Sequence, residues 1–187
     1  MVFLVSYNHS GNTWVRYCVE FVTRRPTHGH REFSISERDD NFLGIFLDKE
    51  IALMKRHTLE DITDKDRFIL LLRDPSECIK SDQDINKEFL KYYSLIRGYD
   101  VHKGPKMIVY FNDLFKRQTI KNIIKYTGAW IHSDRIKDLE ENWEYHQVQS
   151  LNLYKNETNK EGADLSEIPE ILLNHELIKN TRSTIHK

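Results

Sequence analysis

Val2-Phe3-Leu4-Val5-Ser6-Tyr7-Asn8-His9-Ser10-Gly11-Asn12-Thr13-Trp14 is the stretch from which the rest of the chain is read. Residues 2–6 are a short run rich in β-branched and aromatic side chains, which marks a buried strand. A polar turn over residues 8–12 follows. Trp14, Val15, Cys18, Phe21 and Val22 then recur at helical spacing, and Arg24-Arg25-Pro26 closes the helix. In a small glycine-containing loop that opens a helix, successive backbone N–H groups converge on one point, and the helix N-terminus adds partial positive charge. Such a turn suits a phosphate. An ordinary strand–helix connection has the same spacing, so spacing alone leaves both readings open. A Walker A loop is excluded, because the loop holds no lysine and the Gly-x-x-x-x-Gly-Lys-Ser/Thr pattern is absent.

Outward from this segment, strands alternate with helices. Residues 51–54 form a second short apolar run ending near His57, and Arg67-Phe68-Ile69-Leu70-Leu71-Leu72 is the clearest strand of all. After Arg73, the run Asp74-Pro75-Ser76-Glu77 has an N-cap residue, a proline at the first helical position and an acid at the third. The helix it starts is expected to reach about Arg97, where Gly98 ends it. Residues 106–111 read as a further strand and residues 114–126 as a helix closed by Gly128. From about Trp130 the chain is polar and helical in places, with an exposed loop over residues 156–162, while residues 27–50 show no sustained period. Parallel strands need long crossovers. The fold class is therefore α/β, a central mostly parallel sheet flanked by helices on both faces, in a single domain spanning residues 1–187.

Composition narrows the function. The 28 Lys and Arg residues against 29 Asp and Glu leave a formal net charge of −1, which disfavours a general nucleic-acid coat protein. Even the longest apolar runs, such as Phe68 to Leu72, are far too short to span a bilayer. Cys18 and Cys78 could form at most one disulfide and lack metal-ligand spacing. A strand that begins at Val2, with no basic leader before it, fits a cytoplasmic, reduced setting. His28-Gly29-His30 hints at a metal, but no third ligand at suitable spacing completes it, and no metal is expected.

The loop resembles the 5′-phosphosulfate-binding loop of the sulfotransferases, whose common form is Ser/Thr-Tyr-Pro-Lys-Ser-Gly-Thr/Asn-Thr-Trp. Tyr7, Ser10, Gly11, Asn12, Thr13 and Trp14 match it in register. Two further segments agree in the right order. Ile-Leu-Leu-Leu-Arg-Asp-Pro-Ser-Glu-Cys-Ile-Lys-Ser, residues 69–81, resembles the family's 3′-phosphate-binding strand–helix, with Arg73 and Ser81 at the family's spacing of eight. Val-Tyr-Phe-Asn-Asp-Leu, residues 109–114, resembles a later strand ending in Tyr-Glu-Asp-Leu. The likeness spans residues 2 to about 128 and fades beyond.

This resemblance implies a P-loop-like sulfotransferase fold and a donor, 3′-phosphoadenosine 5′-phosphosulfate (PAPS), whose sulfuryl group passes to an acceptor hydroxyl or amine. Ser10, Gly11, Asn12 and Thr13 would cradle the phosphosulfate, and Trp14 would stack on adenine unless it is simply a core aromatic. Arg73 would hold the 3′-phosphate through a charge-assisted, bidentate contact, with Ser81 adding a hydroxyl; the competing reading is a salt bridge from Arg73 to Asp74 or Glu77. Met54-Lys55-Arg56-His57 resembles the family's Lys-x-His, which makes His57 the candidate base. An imidazole, with an ordinary pKa near 6.5, accepts a proton at neutral pH. Glu50 or Glu60 would be the stand-ins where a glutamate serves.

The departure is His9, where most relatives carry a lysine that stabilises charge on the leaving phosphate. His9 could do so protonated, or through a neutral N–H hydrogen bond, or Lys55 could supply the charge instead. The usual C-terminal Arg-Lys-Gly is absent, and Lys155, Lys160 or Arg182 would have to replace it. The acceptor is expected to be a small molecule or a saccharide, the latter preferred in view of the 11% aromatic content; the oligomeric state is left open. A nucleotide-binding module without turnover is the competing reading, and an atypical kinase, which would bind ATP with magnesium, is the third. The motifs consume the first two-thirds of the chain, so the acceptor site is expected to be shallow and open.

Overall fold

The run Val2–Ser6 is strand β1, and it forms the middle of a five-stranded sheet in the computed structural model, which describes residues 1–29, 50–153 and 161–182. The other strands are β2 (Thr27–His28), β3 (Leu53–Arg56), β4 (Arg67–Leu72) and β5 (Lys106–Tyr110). Their order across the sheet is β2-β3-β1-β4-β5, and every pairing is parallel. Leu4 lies beside Lys55 on one side and Ile69 on the other, and Leu71 beside Val109. The helices are α1 (Asn12–Thr23), α2 (Pro75–Cys78), α3 (Ile85–Val101), α4 (Arg117–Thr127), α5 (Ser133–Glu141), α6 (Trp143–Asn152), α7 (Glu170–Leu173) and α8 (Glu176–Arg182).

Strand periodicity explains the two cores. Val2, Leu4, Ile69 and Leu71 point to one face and pack with Val15, Val19 and Val22 of α1, Ile120 and Ile124 of α4, and Trp143 of α6. Phe3, Val5, Phe68, Leu70 and Leu72 point to the other and pack with Phe89, Tyr92 and Ile96 of α3 and Ile178 of α8. Because β1 and β4 are buried on both faces, they read as continuous apolar runs rather than alternating ones. Truncating one of these side chains to alanine costs about 2–5 kcal/mol. Edge strand β2 is secured differently. Arg16 and Glu20, both 1% exposed, bracket Thr27: Arg16 Nε donates to Thr27 Oγ1 at 2.7 Å, and the Thr27 amide donates to Glu20 Oε1 at 3.0 Å. Buried charges persist where each finds a partner in this way.

Several sequence expectations shift. The strand expected over residues 51–54 runs two residues later, and β2 was not anticipated, since two residues carry no periodicity. The helix expected over residues 75–97 is two helices. Asp74 caps α2, its Oδ1 accepting from the Ser76 amide at 2.9 Å, but the chain turns extended at Ile79. Asp84 then caps α3, accepting from the Lys87 amide at 3.0 Å. Gly98 does not end α3, which continues to Val101; a Cβ at Gly98 would lie 2.2 Å from Leu59 Cδ1, so its place is set by close packing. The helix expected over residues 114–126 begins as a 3₁₀ turn, Phe111–Phe115, and becomes α4, closed by Gly128 as expected. Residues 30–49 and 154–160 lie outside the described residues, and with them His30, Lys155, Lys160 and most of the loop over residues 156–162. Cys18 and Cys78 are buried, unbridged thiols, and burial pushes the Cys78 pKa up to about 12. Among the described residues no helix is long and apolar enough to cross a membrane.

Candidate functional site

In a parallel sheet every strand ends on the same edge, and ligands bind in the crevice beyond those carboxyl ends. Here a cavity of about 690 Å³ opens there. The loop after β1 forms its floor, from Asn8 to Trp14. Lys55 and His57 enter from the end of β3, Arg73 from the end of β4, and Phe111 and Leu114 from the turn after β5. Nine of the ten site residues expected from sequence line this one cavity: His9, Ser10, Gly11, Asn12, Thr13, Trp14, Lys55, His57 and Arg73. Ser81 does not. It is exposed, and its amide donates to the Glu161 carbonyl at 3.2 Å.

The loop owes its shape to two positive φ values. Gly11 caps α1 with φ 91°, and His9 adopts φ 58°. A Cβ at Gly11 would also stand 2.5 Å from Leu114 Cδ1, so glycine is required there on two counts. Ser10 is 1% exposed, with its hydroxyl donating to the Asn8 carbonyl at 3.3 Å. Asn12 Nδ2 bonds Ser6 Oγ at 2.5 Å, while Asn12 Oδ1 is buried with no hydrogen-bond partner among the described residues. Exchanging the two amide atoms would let the Ser6 hydroxyl donate to Oδ1 and leave the NH₂ as the group without a partner.

His57 is held by backbone. Its Nδ1 lies 2.8 Å from the Ser6 carbonyl oxygen, and a carbonyl only accepts, so Nδ1 carries the proton and Nε2 is the basic nitrogen. Glu50 is placed at the opposite end of the sheet, where it pairs with Arg25 at 2.9 Å, and Glu60 does not line the cavity. Arg73 forms the ion pair to Glu77 that was its competing reading, and it also lines the cavity. Its Nε pairs with Glu77 at 2.7 Å, Nη1 donates to the His9 carbonyl at 2.9 Å, and the guanidinium lies 4.2 Å over the Phe111 ring while still lining the cavity. Trp14 is chiefly a core residue: it is 8% exposed, it stacks on Tyr17 at 5.6 Å, and its Nε1 donates to the Leu114 carbonyl at 3.1 Å. Its edge reaches the cavity wall. Arg182 turns to Asp74 at 3.1 Å and does not line the cavity.

Sequence reasoning missed Lys80, Phe115, Glu161 and the α6 residues Gln147, Ser150 and Leu151, all of which line the cavity. The three α6 positions share a helix face, but nothing in their spacing says that this face meets the loop. Among the described lining residues three side chains are cationic, Lys55, Arg73 and Lys80, against one carboxylate, Glu161. The overall charge of −1 thus conceals a local positive excess.

Compared with solved structures, the chain is similar to the crystal structure of the mouse sulfotransferase SULT7A1 complexed with PAP. The TM-score is 0.50 at 15% sequence identity, over 87% of this chain and 68% of that one. The fold is that of the sulfotransferases. No family model matches the sequence, and no curated protein does. In this sulfotransferase fold the loop after the central strand, the arginine after the next strand and the histidine after the neighbouring one are brought to one cavity by parallel pairing alone. Among the described residues no group of three His, Cys, Asp or Glu side chains is placed to hold a metal ion.

Proposed function

We propose that the chain is a sulfotransferase that binds PAPS and moves its sulfuryl group to an acceptor hydroxyl by in-line displacement. The observation that carries this reading is the convergence of the Asn8–Trp14 loop, Lys55, His57 and Arg73 on one cavity. The donor supplies an activated sulfuryl group. This chain's residues supply the rest. The amides and hydroxyls of Ser10 to Thr13 receive the phosphosulfate at the N-terminus of a twelve-residue helix. With its amide turned so that the Ser6 hydroxyl donates to Oδ1, Asn12 would offer its NH₂ donors to such a group. Arg73 binds the 3′-phosphate with the N–H donors not engaged by Glu77 and the His9 carbonyl.

His57 takes the acceptor's proton at Nε2, with the ring fixed by its Nδ1 contact to Ser6. His9 or Lys55 stabilises negative charge on the leaving phosphate. The acceptor is a small molecule, a saccharide in the reading we favour, and the protein works in the cytoplasm, where buried thiols such as Cys18 and Cys78 stay reduced. The test is transfer of label from sulfur-labelled PAPS to a panel of saccharide and phenolic acceptors. Label in any acceptor, lost in His57→Ala, supports the reading, and no transfer to any of them counts against an enzyme.

His9 favours a second reading, a nucleotide-binding protein without turnover. Its backbone keeps the loop conformation and bonds Arg73, so binding is served even where the usual ammonium is missing.

A further inference from the structure

The cavity's lining poses a question that the spacing of Arg73 and Ser81 does not: which group beside Arg73 faces the anion. We propose that Lys80, not Ser81, is the second ligand of the 3′-phosphate and makes the site select a 3′-phosphorylated nucleotide over one lacking that group. The inference rests on the nucleotide reading above. Helix α2 stops at Cys78, and Ile79 is extended, with φ −80° and ψ 135°. Lys80 follows at a single bridge position, and the chain turns at once, the Gln83 amide donating to the Lys80 carbonyl at 3.1 Å, so Lys80 and Ser81 are presented differently.

The residue that faces it is fixed by pairing. Lys80 forms an antiparallel bridge with Gly162, flanked by the Ala163 amide donating to Ile79 at 3.0 Å and the Ser81 amide donating to Glu161 at 3.2 Å. The segment approaches so closely that a Cβ at Gly162 would lie 2.0 Å from the Ser76 carbonyl oxygen, which leaves this backbone little room to slip. Held this way, Lys80 lines the cavity and Ser81 is exposed. Both cations converge on one residue: Lys80 Nζ lies 3.4 Å from the Glu77 carbonyl oxygen, and the Glu77 carboxylate lies 2.7 Å from Arg73 Nε. An ammonium and a guanidinium lining one cavity suit a doubly charged phosphate monoester better than a hydroxyl does.

The test is titration of the unaltered chain, Lys80→Met, Lys80→Arg and Ser81→Ala with two nucleotides that differ only in that phosphate, 3′-phosphoadenosine 5′-phosphate (PAP) and adenosine 5′-monophosphate. Lys80→Met is expected to weaken PAP by about tenfold and the monophosphate by less than about twofold. Lys80→Arg is expected to keep most of the preference, and Ser81→Ala all of it. Equal weakening of both nucleotides by Lys80→Met, no weakening of PAP, or a PAP-specific loss in Ser81→Ala would overturn the inference alone. Failure of the unaltered chain to bind either nucleotide would overturn the nucleotide reading, and this inference with it.

Discussion

Arg73 Nη1 donates to the backbone carbonyl of His9 at 2.9 Å, tying the end of β4 to the loop between β1 and α1. The bond joins residues 64 positions apart and makes the two halves of the proposed nucleotide site one mechanical unit. Arg73→Ala is therefore expected to do two things. It removes a charge-assisted contact to the 3′-phosphate, worth about 1.5–3 kcal/mol, and it frees the His9 turn. PAP affinity is expected to fall by at least about thirtyfold, with Arg73→Lys recovering only part because the planar fork is lost. Calorimetric titration reads both.

His57 is expected to matter for transfer and not for binding. Its Nδ1 is engaged with Ser6, so substitution removes the base without touching the phosphate cradle. His57→Ala is expected to lower the transfer rate by about 10²–10⁴-fold while PAP affinity stays within about twofold. A single-turnover assay beside a titration separates these. Activity that survives would place the base elsewhere.

His9 decides between a working enzyme and a binding module. If its imidazole serves the leaving phosphate, His9→Lys is expected to leave the rate unchanged or lower it, and His9→Ala to lower it by about tenfold or more. A large gain in His9→Lys would show that the natural residue is a handicap. Steady-state rates at saturating donor make the comparison.

Stability is expected to fall on acidification, through His146. This side chain is 2% exposed between α1 and α6, with Nδ1 2.6 Å from the Tyr17 hydroxyl. Burial holds its pKa below the usual 6.5, partly opposed by Asp138, 3.5 Å from Nε2. The unfolded chain thus takes up the proton more readily, so its contribution is complete above about pH 6.5 and is lost as pH falls below that value. Thermal melts between neutral and mildly acidic pH are expected to show a falling midpoint. His146→Gln should flatten that dependence while lowering the midpoint at neutral pH.

What was legible in the sequence follows from what burial imposes. β1 and β4 are apolar on both faces, so their runs stood out, and the loop between β1 and α1 carried enough fixed residue types to match a family in register. Arg73 and His57 could be placed because each directly follows a strand, and parallel strands end together. Ser81 was singled out and Lys80 passed over, because which of them lines the cavity depends on pairing with Gly162, which is distant in sequence. The contribution of α6 was hidden for a similar reason: Gln147, Ser150 and Leu151 acquire a role only through the packing of α6 on α1. Trp14 takes the core position that the sequence reading offered as its alternative, stacked on Tyr17 and bonded to the Leu114 carbonyl, while it also lines the cavity.

The most direct test is calorimetric titration of the unaltered chain with PAP in the absence of metal ions. Saturable one-to-one binding in the micromolar range, weakened by at least about thirtyfold in Arg73→Ala, is the result expected. No detectable heat with PAP from a folded chain, at concentrations well above micromolar, would contradict the proposal that this cavity is a sulfotransferase nucleotide site.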